Sequence, residues 1–262
     1  MRKAVLITGD LRGMKWCIPS YDFLLSQSDV FVSLWDSSSV VHPYRSSLSY
    51  HSGHLTQSDI LDFLKGYSVK EVILDKFNWQ KYTYIYNAPL CYRWSRGMQA
   101  INQHGHYDVV TMLRPDLFFQ STTETQVPWA ELDLTKVYSG WYTPNGMKLG
   151  DVIHIGSQAN MTKMLITPSE WQQAYHQQKD WHMAYADIIK HKNIEIAPAF
   201  FLPRFVISRP RYPDGPLHWS DAELASKRWR ELLIEYQLSR FGIEFVRKTW
   251  DPSVIADLFP NK

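Results

Sequence analysis

The stretch Val109-Val110-Thr111-Met112-Leu113-Arg114-Pro115-Asp116-Leu117-Phe118 decides how this chain is read. From Asp108 to Leu113 it is apolar and β-branched, too short for a helix and closed by a proline. That pattern predicts a strand buried on both faces, as in a parallel sheet covered by helices. The strand then delivers a cation, Arg114, and a carboxylate, Asp116, at its carboxyl edge. Charges placed among such apolar neighbours are costly without partners. The two side chains are either a structural pair capping the sheet or part of a ligand site.

Working outward, strands and helices alternate. Lys3–Thr8 and Asp29–Trp35 read as strands, with Ile18–Ser26 helical between them. The segment 37–53, rich in Ser, His and Tyr, reads as a long loop. Thr56–Lys65 is an amphipathic helix opened by a capping threonine. Val69–Leu74 is a third strand, and Ala88–His104 is a helix with Leu90, Trp94 and Ile101 on one face. This alternation predicts an α/β fold, a mostly parallel Rossmann-like sheet with flanking helices.

After Gln120 the pattern changes. Val137–Trp141 and Val152–Ile155 read as strands around a Pro-Asn-Gly turn at 144–146. Helices are expected over 168–178 and 181–190, and strands over 193–196 and 205–208. A proline-rich stretch, 203–216, leads to a helix over 220–240, opened by the capping box Ser220-Asp221-Ala222-Glu223. The expected organisation is one domain: a nucleotide-binding half (1–120), an acceptor-side half (121–218) and a C-terminal helical extension (219–262).

Two further motifs sit where ligands bind in open parallel sheets, beyond the carboxyl ends of strands. Thr8-Gly9-Asp10-Leu11-Arg12-Gly13 follows the first strand. Its glycines let a diphosphate approach the backbone, and Arg12 is suited to a phosphate fork. A tight turn with a solvated arginine explains it equally. Gly150-Asp151-Val152-Ile153-His154-Ile155-Gly156 sets an acid between a glycine and a strand, placed to bind a sugar hydroxyl or act as a general base. His154, three residues further along an extended run, points away from Asp151 and reads as a packed core side chain.

Composition narrows the classes. With 262 residues, 45% hydrophobic and 21% charged, the chain has enough apolar content for a full core. A net charge of +2 excludes the concentrated basic character of a nucleic-acid binder. Two cysteines, Cys17 and Cys91, make neither a disulfide framework nor a metal pattern, which fits a reducing cytoplasm. The apolar run at the N-terminus is too short for a signal peptide, and no stretch reaches membrane-spanning length. Eleven tryptophans and fifteen tyrosines suit both a packed core and a site that stacks bases or sugar rings.

Taken together, the order of Thr8-Gly9-Asp10-Leu11-Arg12, the strand from Asp29 to Asp36, Arg114-Pro115-Asp116-Leu117-Phe118 and Gly150 to Gly156 resembles glycosyltransferases of the GT-A type. It is most similar to the WavE-like lipopolysaccharide and capsule synthesis proteins and related viral enzymes. The resemblance spans roughly the first 160 residues. It implies a nucleotide-sugar donor at the sheet's carboxyl edge, a surface-glycan acceptor, and a Mg²⁺ or Mn²⁺ ion at Asp116. The family's usual Asp-x-Asp is reduced here to Asp116-Leu117-Phe118, so one acid stands where two are expected.

On this reading Thr8, Gly9, Asp10, Arg12, Trp35, Asp36, Arg93, Arg114 and Asp116 bind the donor, and Asp151 is the catalytic base of an inverting transfer. The expected location is the cytoplasm, at the inner face of the membrane if the C-terminal helix with Lys227, Arg228, Trp229, Arg230 and Arg240 makes a peripheral contact. Rivals are a non-catalytic glycan- or nucleotide-binding protein and another nucleotide-donor transferase such as a sulfotransferase. The sulfotransferase reading lacks its lysine-bearing loop after the first strand.

Overall fold

The computed structural model describes residues 1–9, 14–36, 56–76, 88–119, 125–143, 148–167, 169–171, 173–174, 180–203 and 205–207. Asp10 and Arg12, the loop over 37–53 and the C-terminal extension therefore lie outside the described residues, and the helix expected over 168–178 lies only partly within them.

A seven-stranded sheet forms the centre. Its strands are β1 (Lys3–Gly9), β2 (Asp29–Trp35), β3 (Ser68–Asp75), β4 (Val109–Leu113), β6 (Val137–Ser139), β7 (Ile153–Gly156) and β8 (Ile196–Pro198). Their order across the sheet is β3-β2-β1-β4-β7-β6-β8. β3, β2, β1 and β4 are mutually parallel, β7 is antiparallel to both β4 and β6, and β6 and β8 are parallel. One reversed strand in an otherwise parallel sheet is the predicted α/β architecture.

The near-continuous apolar strands have a simple cause. Along β1, Val5 and Ile7 face one core while Ala4 and Leu6 face the other, and all are buried. The first face is covered by α1 (Met14–Cys17), a 3-10 turn over Ile18–Tyr21, α2 (Asp22–Leu25) and α3 (Gln57–Phe63). The second is covered by α4 (Ala88–Gln103), α5 (Gln158–Lys163) and α6 (Trp181–His191). At Gly97 of α4 any side chain would collide with Leu6, so the missing Cβ is what lets the helix lie against β1. Among the described residues no helix is long and apolar enough to cross a membrane.

Several local expectations need correction. The helix read over 18–26 is two short helical turns, Ile18–Tyr21 and Asp22–Leu25, divided at Tyr21, whose φ −89° and ψ 0° lie outside the helical region. Beyond the Arg114-Pro115-Asp116 corner, Leu117–Phe119 adds a strand the sequence reading did not assign, β5, which pairs with β9 (Phe205–Ile207) in a two-stranded sheet over the first core. The strand expected over 193–196 begins only at Ile196. Asn193 adopts φ 51° just past the end of α6, the left-handed conformation that stops a helix and delays the next strand. By contrast, Thr56 caps α3 in a reciprocal capping box with Asp59, as its sequence suggests.

Candidate active site at the carboxyl edge

In this sheet β1, β2 and β3 progress to one side, and the chain then crosses back to lay β4 on the other flank of β1. The crevice at such a switch point, outside the carboxyl ends of the strands, is where open α/β sheets bind ligands. β1 ends there on Gly9, whose φ of 128° is a conformation that side-chain-bearing residues rarely adopt. A Cβ at this position would make only ordinary contacts with Pro115 and Leu90, so the dihedral rather than space calls for glycine. Just before it, Thr8 is buried, and its Oγ1 has no hydrogen-bond partner among the described residues.

The reversal of β7 assembles the centre of the site. Because β7 is antiparallel to β4, with Leu113 opposite Ile153, the residues that enter β7 lie beside those that leave β4. The Arg114 N–H donates to the Val152 carbonyl at 3.0 Å, closing this junction. Arg114 then grips Asp116 in a two-pronged fork, Nε to Oδ1 at 2.9 Å and Nη2 to Oδ2 at 2.6 Å. Its remaining arm, Nη1, reaches both oxygens of Asp151 at 3.3 Å. Asp116 is 1% exposed, Arg114 12% and Asp151 15%. Among the described residues Arg114 thus contacts two carboxylates, of which Asp151 is the more accessible.

The corner is pinned from the first core. The Tyr21 hydroxyl donates to the Arg114 carbonyl at 3.1 Å. Burial, then the neighbouring Cys17 and Asp116, raise the Tyr21 phenol well above its ordinary range, so it remains a donor. Ser20 donates to the Cys17 carbonyl at 2.7 Å and accepts the Phe119 N–H at 3.0 Å, tying β5 to the 3-10 turn. Tyr21 carried no sequence signal for this role, because its contact is non-local.

At the β2 side, Asp36 extends the β2–β3 pairing by donating its N–H to the Asp75 carbonyl at 2.9 Å. Trp35 is buried and stacks on Tyr92, with centroids 5.6 Å apart and rings inclined by 15°. Arg93 is fully buried. Its guanidinium lies 4.1 Å over the Trp35 ring, donates to the Leu34 carbonyl at 2.9 Å and is ion-paired with Asp75. Arg93 therefore braces the ends of β2 and β3 from inside the protein. Asp75, its partner, was not singled out by motif reading; an acid closing the β-branched run Val69–Leu74 was the available signal.

His154 lies in β7 with its side chain buried, its Nε2 hydrogen-bonded with the Tyr185 hydroxyl at 3.2 Å and its ring meeting Trp94 edge-on. Burial lowers its pKa to about 4, against weaker upward pulls from Asp151 and the Gly150 backbone. It is the neutral core histidine that strand geometry predicts.

Among the described residues no group of three His, Cys, Asp or Glu side chains is placed to hold a metal ion. Asp116 gives an oxygen to each prong of the Arg114 fork, and Asp151 is the second acid at this corner.

The fold and site thus define an α/β protein with a buried Arg–Asp cluster at the switch point of its sheet. No protein-family model matches the chain, and no curated protein matches it at a significant level. Solved structures are similar in outline. One is the glycosyltransferase GlyE of Streptococcus pneumoniae TIGR4, at 13% identity and a TM-score of 0.41, covering 76% of this chain and 45% of that chain. Its apo form gives 13% and 0.41, with 75% and 45% covered. This chain spans less than half the length of the structures it is similar to.

Proposed function

We propose that the protein transfers a glycosyl group from a nucleotide-sugar donor to a hydroxyl of a glycan acceptor. The observation that carries this reading is the junction of β4 and β7, where Arg114 ties the buried Asp116 to the more accessible Asp151. Asp151 is the acceptor base. A base must be held within hydrogen-bond reach of the hydroxyl it deprotonates, and the Arg114 arm fixes the carboxylate's orientation. Arg114 and Asp116 are positioning residues for this base.

The donor's place is the β1–β2 side of the same edge. β1 ends on Gly9 at this edge, and Arg12, three residues further along the sequence, is the cation read for the leaving diphosphate. The Trp35–Asp36 end of β2 borders the nucleotide base, and Thr8, buried near the end of β1, pairs in register with Ser33 of β2. Residues 1–120 then form the donor half and 121–218 the acceptor side.

The test is thermal-shift titration of the full chain with UDP, GDP, CMP and ADP, with and without Mn²⁺, followed by hydrolysis of the matching nucleotide sugar. A selective shift is expected, and Asp151→Asn is expected to keep it while losing turnover. A chain that binds none of the four nucleotides is not a transferase of this kind. A shift that appears only with Mn²⁺ would show that Arg114 yields Asp116 to a cation.

A further inference from the structure

The same edge carries two aromatic side chains that the fold leaves open to solvent. Because β7 is antiparallel to β4 and β6 antiparallel to β7, β6 and β8 run in the direction of β4. Their carboxyl ends lie at the edge that holds Arg114, Asp116 and Asp151. Two residues beyond β6 is Trp141, 42% exposed; two residues beyond β8 is Phe200, 90% exposed. Burying apolar rings is the rule, so two large ones presented beside a polar cluster call for an explanation.

Trp141 is held rather than merely left over. Its carbonyl accepts the Gly150 N–H at 2.9 Å, and its N–H reaches the Ser139 hydroxyl at 3.4 Å. Its indole lies against Gly150 so closely that any Cβ there would run into the ring. The His182 ring meets it edge-on, with centroids 4.3 Å apart. His182 is itself fixed in the first turn of α6: its Nδ1 lies 3.2 Å from the Leu149 carbonyl, and its own carbonyl accepts the Leu149 N–H at 3.1 Å. Lys148 and Asp180 clamp the same junction with an ion pair at 3.0 Å. The ring therefore keeps a fixed attitude one residue away from Asp151. On the second strand, the Ala199 N–H donates to the Ser139 carbonyl at 2.9 Å and sets the turn that carries Phe200 at the same level.

We propose that Trp141, with Phe200 beside it, is the platform that binds a pyranose ring of the acceptor, and that the acceptor is an oligosaccharide. A flat, rigid indole matches the C–H face of a pyranose and loses little conformational freedom on binding. A carboxylate beside the platform receives the hydroxyl at the ring's rim. The edge then reads in order as donor at β1 and β2, chemistry at β4 and β7, and acceptor at β6 and β8. The assignment rests on Asp151 as the acceptor base, but the platform can be tested without turnover.

The full chain is titrated with chitotriose, maltotriose and lactose, followed by saturation-transfer NMR and tryptophan fluorescence. At least one of the three is expected to bind. Trp141→Leu, which keeps bulk over Gly150, is expected to weaken it about tenfold or more, and Trp141→Tyr to restore most of it. Circular dichroism and nucleotide thermal shifts are expected to match the wild-type chain in both variants. Phe200→Ser, at a side chain with almost no packing to lose, is expected to weaken binding to a smaller degree. Failure of all three sugars to bind, or binding that W141L leaves intact, overturns the platform. Sugar binding that depends on Trp141 in a chain that binds no nucleotide overturns the donor reading and leaves the platform standing.

Discussion

The sheet has an ionic cluster at each edge, and the two are built on opposite terms. At the amino edge, Asp29 collects Arg2 at 3.3 Å, Lys70 at 3.3 Å, and hydroxyls from Tyr107 and Ser68. Cations there are plentiful and wet: Arg2 is 49% exposed and Asp29 19%. At the carboxyl end of β4, among the described residues, Arg114 contacts both Asp116 and Asp151, at 12% exposure for Arg114 and 1% for Asp116. Solvated pairs contribute little to stability, whereas a buried pair that loses a partner leaves a charge stranded. The amino edge closes the sheet at low cost. The carboxyl edge holds an acid-rich, desolvated cluster that stability alone does not require.

Mutations that sharpen this contrast rank by expected size. Asp151→Asn should lower turnover by about a thousandfold, the scale of a lost general base, with nucleotide binding intact. Unchanged turnover would make the carboxyl edge as structural as the amino one. Arg114→Ala should cost about 3–5 kcal/mol in urea unfolding, because the buried Asp116 loses its two-pronged ion pair. Arg2→Ala at the amino edge is the matched control, expected to cost under about 1 kcal/mol.

Acid separates further groups by pH window. The His154 imidazole takes its proton near the ordinary value of 6.5 in the unfolded chain but only at about 4 in the fold. Between these values the unfolded state binds more protons, so stability falls as pH drops, by about 3 kcal/mol in all. His154→Gln, which does not titrate, should flatten that slope in urea midpoints measured across the window. Asp29 acts in a lower window. Burial pushes its carboxyl up, but the bonds from Tyr107, Ser68, Lys70 and Arg2 outweigh this and hold it below 3.8. Its contribution is present above that pH and lost as pH falls through the lowered value. Asp29→Asn should remove that later, smaller loss.

The readability of these regions from sequence differed for a physical reason. β1, β2 and β4 announced themselves as buried apolar runs, and α3 by its capping threonine, because those signals are local. The motifs at Arg114–Asp116 and Gly150–Asp151 were visible as separate polar punctuation. That they meet depends on β7 slotting in reverse between β4 and β6, a pairing across some forty residues that no window along the chain contains. The same non-locality hid Tyr21 and Asp75, and it hid the departure of Leu117–Phe119 into a second sheet. Trp141 passed as the end of a strand because its exposure is set by Gly150 and His182, neither of which is adjacent in sequence.

β7 also sets where this protein can tolerate changes in length. All four of its residues are buried, so a one-residue slip would exchange the contents of the two cores and carry Asp151 off its arginine. The connection from β6 back to β7 is held differently, by hydrogen bonds between its own ends. The Thr143 N–H donates to the Lys148 carbonyl at 3.1 Å and the Gly150 N–H to the Trp141 carbonyl at 2.9 Å. An insertion between Thr143 and Lys148 is expected to leave the sheet's register intact. A change of length within β7 is the one that both cores would reject.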